Sequence, residues 1–83
     1  MNIVFVEGKI ISDIEFNFII NSPNISIAIF EAELLNKSIV KIKAYNEHAD
    51  YCYSKLNKGD IIFVEGYLNS NMEIIIKTLK KPE

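Results

Sequence analysis

The sequence predicts a small all-β barrel that carries one α-helix, and three observations lead to this prediction. The first is composition: the 83 residues are 49% hydrophobic and include sixteen isoleucines but only three glycines, and β-branched side chains favour strands. The second is a series of segments in which apolar and polar residues alternate, as in half-buried strands. The third is one stretch, residues 46–58, in which the apolar period changes to that of a helix.

Length and charge narrow the classes of protein to consider. Eighty-three residues predict a single domain over 1–83. The formal net charge of −2 gives no global attraction to nucleic acid, so a nucleic-acid site would have to be a local patch. Cys52 is the only cysteine, which excludes an internal disulfide and a thiolate metal cluster. We expect no cofactor, no membrane span and a reducing compartment: the cytoplasm, or the plastid stroma if the gene is organellar.

The first half of the chain predicts three strands. A β-branched run over 3–11 is followed by an alternating segment over 13–18, and a turn is predicted over 21–24. In the next strand, 25–34, the apolar positions change from odd to even numbers. This change predicts a β-bulge near Ile29 and Phe30, because a slip of one residue exchanges the two faces of a strand.

The second half predicts a strand, a helix and a hairpin. The strand over 38–45 places Val40, Ile42 and Ala44 on one face. Residues 46–58 carry one helical stripe of about three turns, with Asn46 as the N-cap and Gly59 as the C-terminal stop. Strands over 61–68 and 72–79 follow, with a tight turn at 69–71. The stripe consists of Ala49, Cys52, Tyr53 and Leu56.

This order of elements is typical of one barrel architecture. A five-stranded Greek-key barrel with one α-helix between strands 3 and 4 is the OB fold, and we predict that fold for this chain.

An internal echo supports a specific pairing within the barrel. The segment IVFVEG at 3–8 is nearly repeated as IIFVEG at 61–66. The first and fourth strands are neighbours in an OB barrel, so we expect Val4, Val6, Ile62 and Val64 to point inward. The outward residues then form an apolar patch that suits an isologous dimer interface; the alternative is that the helix covers part of it. These outward residues are Ile3, Phe5, Ile61 and Phe63.

Several segments resemble the single-stranded-DNA-binding (SSB) proteins of bacteria and organelles. The segment VEGKI at 6–10, followed by DIE at 13–15, resembles the family's opening pattern, V-x-G-N-L and then D-P-E. LNKG at 56–59 and VEGYL at 64–68 resemble L-x-K-G and V-x-V-E-G-x-L. The loops are shorter than in the family, so the chain is similar to a pared-down member, such as the primosomal accessory proteins or plastid-encoded SSB-like proteins.

The resemblance implies a binding site on the outward side of the strand at 38–45. In the family this row stacks aromatic side chains on bases and pairs basic ones with phosphates. Lys9 and Lys77 would extend the basic surface. Ile39 departs from the family, which usually has Trp there, so one stacking platform is missing. The residues of the row in this chain are Ile39, Lys41, Lys43 and Tyr45.

The sequence therefore supports two candidate functions. The first is binding of single-stranded DNA or RNA by a small homo-oligomer. The second is a protein-interaction OB module that serves as a subunit of a larger complex, because alternating lysines are also an ordinary way to keep a solvated sheet from aggregating. We expect no enzyme, since the sequence offers no nucleophile–base pair, phosphate loop or metal constellation.

Overall fold

The computed structural model describes residues 2–20 and 23–82, so half of the turn predicted at 21–24, residues 21 and 22, lies outside the described residues. Within the described ranges the chain forms six strands and one helix. In chain order these are β1 (Ile3–Ile10), β2 (Glu15–Ile19), β3 (Ile25–Leu34), β4 (Ile39–Tyr45), α1 (Glu47–Lys55), β5 (Ile61–Leu68) and β6 (Glu73–Lys80).

The strands form one sheet that closes on itself. Their order is β1-β5-β6-β4-β3-β2, and an additional pairing of β1 with β3 closes a barrel of five strands. The strand β2 pairs with β3 outside this ring. All pairs are antiparallel except β4 with β6. The predicted five-stranded barrel with one helix is confirmed, as is the predicted pairing of the two echo strands, which are β1 and β5.

The predicted position of the helix needs a small correction. The helix lies between β4 and β5 rather than between the third and fourth strands. The reason is that the segments predicted at 3–11 and 13–18 count as two strands, separated at residues 11–14, where Ser12 Oγ accepts a hydrogen bond of 2.8 Å from the Glu31 amide. The two strands, β1 and β2, both pair with β3.

The bulge predicted at Ile29 and Phe30 is wrong. The pairing of β3 with β4 runs from Ile27 to Glu33 without a register shift. Small residues occupy three of the four inward positions of β3 in place of its isoleucines, and the helix packs on β3 and β4. The inward residues of β3 are Ser26, Ala28, Phe30 and Ala32, all buried.

The bulge of this barrel lies instead in β6. Glu65 is paired with Thr78 but Gly66 with Ile76, so Lys77 is the extra residue. The bulge lets both Ile76 and Leu79 point inward although they are an odd number of positions apart. A Cβ at Gly66 would collide with the backbone carbonyl oxygen of Ile75, so only glycine allows this close approach of β5 to β6.

The helix is shorter than predicted and its ends differ from the prediction. It ends at Lys55, and Gly59 instead supplies a positive φ of 99° in the following turn. The Asn46 side chain does not cap the helix; its Oδ1 accepts a hydrogen bond of 3.4 Å from the Ser26 amide. Ala49, Cys52 and Leu56 are buried as predicted, whereas Tyr53 is exposed and stacks on Phe16 with ring centroids 4.7 Å apart.

Burial raises the pKa of the Cys52 thiol to about 12, which fits a small core residue rather than a reactive thiol. In the part of the chain that the structure describes, no helix is long and apolar enough to cross a membrane.

Candidate functional site

The outward side of β4 forms the centre of the candidate site. Val40, Ile42 and Ala44 point inward as predicted. The opposite side chains project from the barrel and define what we call the β4 face. This face consists of Ile39, Lys41, Lys43 and Tyr45.

Tyr45 and Lys43 form a pair on this face. The Lys43 ammonium lies 5.5 Å from the centroid of the Tyr45 ring, within the range of a cation–π interaction. The Tyr45 side chain is nevertheless 37% exposed, so much of its ring surface stays accessible. A flat exposed ring beside a cation is the combination that stacks on a base and neutralises a phosphate.

Carboxylates compensate the lysines of the β4 face. Lys43 Nζ lies 3.9 Å from Glu73 Oε1. Lys41 is in register with Glu31 on β3 and with the same Glu73 on β6. The face is therefore close to neutral, in agreement with the net charge of the chain.

The two further predicted lysines flank the β4 face at opposite ends. Lys9 is in register with Glu33 on β3, and Glu33 in turn with Ile39 on β4. Lys77 lies two residues beyond Ile75 on β6, which places it toward the Tyr45 end because β6 runs parallel to β4. Its ammonium is 3.9 Å from Glu65 Oε2. The structure thus gathers all six predicted residues around one face, each added lysine beside a carboxylate.

Two residues that the sequence analysis did not assign to the site adjoin this face. Ile75 on β6 is in register with Lys43, and Tyr67 on β5 is in register with Ile75. Alternation along the strand was enough to predict that Tyr67 points outward, because it follows the buried Gly66. Its proximity to β4 depends on the parallel pairing of β4 with β6, which local alternation does not reveal.

A second surface lies on the outward side of β1 and β5, and we call it the β1–β5 face. Its four apolar residues are the predicted set, Ile3, Phe5, Ile61 and Phe63, and all of them are exposed. Phe5 is the most prominent at 75% exposure. A groove of about 590 Å³ is lined by Phe5, Phe63 and Leu79, together with Glu7 and Glu65. The helix packs on β2, β3 and β4, which does not support the alternative that it covers this patch.

Comparison with known proteins identifies the fold of the chain but does not assign it to a family. No protein-family model and no curated protein sequence matches the chain. Among solved structures, the SSB domain of a Synechococcus protein superposes with a TM-score of 0.83 at 14% identity, covering 95% of this chain and 93% of that one. The second OB-fold domain of replication protein A from Methanococcus maripaludis gives 0.76 at 17% identity, covering 95% and 82%.

The single-stranded-DNA-binding protein of Thermus aquaticus gives a TM-score of 0.85 at 20% identity. The match covers all of this chain but 41% of the Thermus protein. The fold is therefore the OB fold in the form seen in SSB domains, as the sequence predicted.

Proposed function

We propose that this chain binds single-stranded DNA or RNA, without catalysis, through the β4 face. The observation that carries the proposal is the exposed Tyr45 ring with the Lys43 ammonium 5.5 Å from its centroid, on the outward side of an OB barrel. A base stacks on Tyr45 while the backbone phosphate meets Lys43 and Lys41. The single-stranded-DNA-binding protein of Thermus aquaticus, which has a similar fold, supports the same ligand class.

Compensating carboxylates do not prevent this mode of binding. Lys43 Nζ and Glu73 Oε1 are 3.9 Å apart, which is too far for a hydrogen bond between them. A phosphate can therefore replace the carboxylate at small cost. The neighbouring carboxylates do reduce the electrostatic contribution to the binding free energy, so base stacking has to supply a larger part of that energy. Lys9 and Lys77 extend the track at its two ends.

The test is a titration of fluorescently labelled oligo(dT), followed by fluorescence anisotropy at about 50 mM salt. The double variant Lys41→Glu with Lys43→Glu should lose binding, because each substitution replaces a phosphate contact by a repulsion. Lys58→Glu makes the same kind of charge change at an exposed turn after the helix and should bind like the wild type. Equal affinities for all three chains would contradict the proposal.

The proposal includes a small homo-oligomer that buries the β1–β5 face. A patch with Phe5 75% exposed and Ile3, Ile61 and Phe63 beside it suits contact with a second copy. The edge of β1 supports this arrangement, because β1 pairs with β3 only from Gly8 to Ile10. Residues 3–7 thus pair on one side, with β5. An isologous interface would set the two patches against each other.

The alternative is a protein-interaction module within a larger complex. The carboxylate beside each site lysine, together with the net charge of −2, favours it over nucleic acid. Affinity capture with and without nuclease distinguishes the two proposed functions. A single stoichiometric protein partner that survives nuclease treatment, together with no binding of oligo(dT), would select the alternative.

A further inference from the structure

A line of outward side chains crosses the barrel at a right angle to β4. Lys43 on β4 is in register with Ile75 on β6, Ile75 with Tyr67 on β5, and Tyr67 with Ile3 on β1. Residues in register share one face of a sheet. The line therefore leads from the β4 face across β6 to Tyr67, and we call it the transverse row.

Ile75 forms an apolar floor in the middle of this row. It is only 7% exposed, yet it lies outside the core cluster that contains its neighbours Ile74 and Ile76. Its side chain is on the outward side, in register with Lys43 and Tyr67. The row thus has one nearly buried apolar side chain between two more accessible ones.

Tyr67 stands beside this floor with an accessible ring. Its side chain is 45% exposed, more than that of Tyr45. No hydrogen bond of its hydroxyl occurs within residues 2–20 and 23–82, so the fold does not use the polar end of the ring. Adjacent strands are about 4.8 Å apart, which places Tyr67 about 10 Å from Lys43 across the sheet.

A bound nucleic-acid strand could leave Tyr45 in two directions, and only one of them leads to a second ring. Along β4, toward Ile39, the strand would pass Lys41, which is in register with Glu31 and Glu73, and no aromatic side chain. Across the barrel, it would pass Lys77 on β6, whose side chain is 57% exposed and whose ammonium is 3.9 Å from Glu65 Oε2. It would then reach the ring of Tyr67 on β5. The two routes are alike in charge, so the second ring is what favours the transverse route.

We infer that Tyr67, resting beside Ile75, is a second base-stacking platform, and that the bound strand crosses from β4 over β6 to β5. This inference rests on the proposed function and specifies its ligand track. One base stacks on Tyr45 and another on Tyr67, while Lys77 meets a phosphate between them. Tyr67 thereby takes over the stacking that Ile39 does not provide.

The experiment compares oligo(dT) binding by Tyr67→Ala, Tyr67→Phe and Tyr51→Ala. Tyr51 is an exposed tyrosine of α1 and serves as the matched control. Loss of one stacked base lowers affinity by about 5- to 150-fold, and we expect that loss for Tyr67→Ala. Tyr67→Phe keeps the ring and should stay within about twofold of the wild type. The salt dependence of Tyr67→Ala should equal that of the wild type, because no charge is removed.

Three results would overturn the inference, and they differ in what else they affect. If Tyr67→Ala binds like the wild type while the Lys41→Glu, Lys43→Glu variant does not bind, the inference fails and the proposed function stands. If the wild type does not bind oligo(dT), both fail. If Tyr67→Ala loses affinity only together with a fall in molar mass by light scattering, Tyr67 belongs to the oligomer interface instead. Thermal unfolding of each variant checks that the barrel is intact.

Discussion

The β4 face and the β1–β5 face lie on the same barrel and differ in the side chains that define them. The β4 face carries two lysines and one accessible tyrosine, whereas the β1–β5 face consists of four exposed apolar residues, with Phe5 the most exposed. Glutamates adjoin both faces: Glu73 lies beside Lys43, and Glu65 and Glu7 are in register with Phe5 and Phe63. Inside, both consist of the same kind of alternating β-branched residues. The comparison shows how one closed sheet can present two separate recognition surfaces, because only the outward half of each strand distinguishes them.

The transverse row is the place where the two faces meet. Tyr67 is in register with Ile75 toward the β4 face and with Ile3 toward the β1–β5 face. Substitutions can therefore be chosen that disturb both faces together, one face alone, or neither, and their effects should follow that division.

The largest effect is expected for Gly66→Ala, which should disrupt both faces. A Cβ at this position collides with the Ile75 backbone, and such overpacking should lower the free energy of unfolding by about 3 kcal/mol or more. Gly8→Ala is the milder control, because its Cβ would lie 3.2–3.3 Å from atoms of Ala32, Leu34 and Glu33, which is tight but does not overlap the backbone as at Gly66, so a smaller loss is expected. Urea unfolding of the two variants measures the difference. Equal midpoints would show that the close approach of β5 to β6 is not essential.

Phe5→Glu should break the β1–β5 face alone. A carboxylate at the centre of an apolar contact opposes association, so the molar mass by light scattering should fall to that of the 9.5-kDa monomer. Phe18→Glu changes another exposed phenylalanine, on β2, and should leave the mass of the oligomer unchanged. A wild-type chain that is already monomeric at tens of micromolar would contradict the interface.

Alkaline pH should weaken the barrel through Cys52, which belongs to neither face. The thiol pKa is about 12 in the folded chain against an ordinary value of 9.0. The folded state retains the proton that the unfolded chain loses, so this contribution is complete below about pH 9 and decreases as the pH rises toward 12. The decrease is at most about 1.4 kcal/mol for each pH unit. Urea midpoints between pH 8 and pH 10 should fall less steeply for Cys52→Ala than for the wild type.

Glu73→Gln should strengthen the β4 face by a small amount. The substitution frees Lys43 for a phosphate, while the amide oxygen can still accept the hydrogen bond from Asn69 Nδ2. Oligo(dT) affinity should rise by about fivefold. Glu7→Gln removes the same charge from β1, beside Phe63, and should have a smaller effect. If both substitutions raise affinity equally, only the net charge matters and the β4 face has no special role.

Alternation along each strand was sufficient to predict the two faces. It placed Lys41 and Lys43 outside and Val40 and Ile42 inside, while the pairing of the echo strands followed from the strand order of the predicted OB barrel. It failed for β3, because hydrophobicity alone assigns isoleucines to the interior, whereas the helix packs closely enough to require Ala28 and Ala44 there. Local pattern assigned the bulge to β3, although the change of phase from Ile76 to Leu79 marked the bulge in β6.

The rest of the candidate site depends on long-range register. The proximity of Glu73, Ile75 and Tyr67 to β4 arises from the parallel pairing of β4 with β6, and residues more than twenty positions apart in the chain have no common local signal. The ion pair of Lys43 with Glu73 was not predictable for the same reason. It changes the expected affinity for nucleic acid most, since it reduces the electrostatic contribution to binding.

The most direct test of the central claim is the salt dependence of oligo(dT) binding by the wild-type chain between about 50 mM and about 200 mM salt. With four lysines at most in contact with phosphates, the slope of log affinity against log salt concentration should be negative but no steeper than about −3. Tyr45→Ala should weaken binding without changing that slope. The absence of binding at the lower salt concentration, or binding that Tyr45→Ala and the Lys41→Glu, Lys43→Glu variant leave unchanged, would contradict the account.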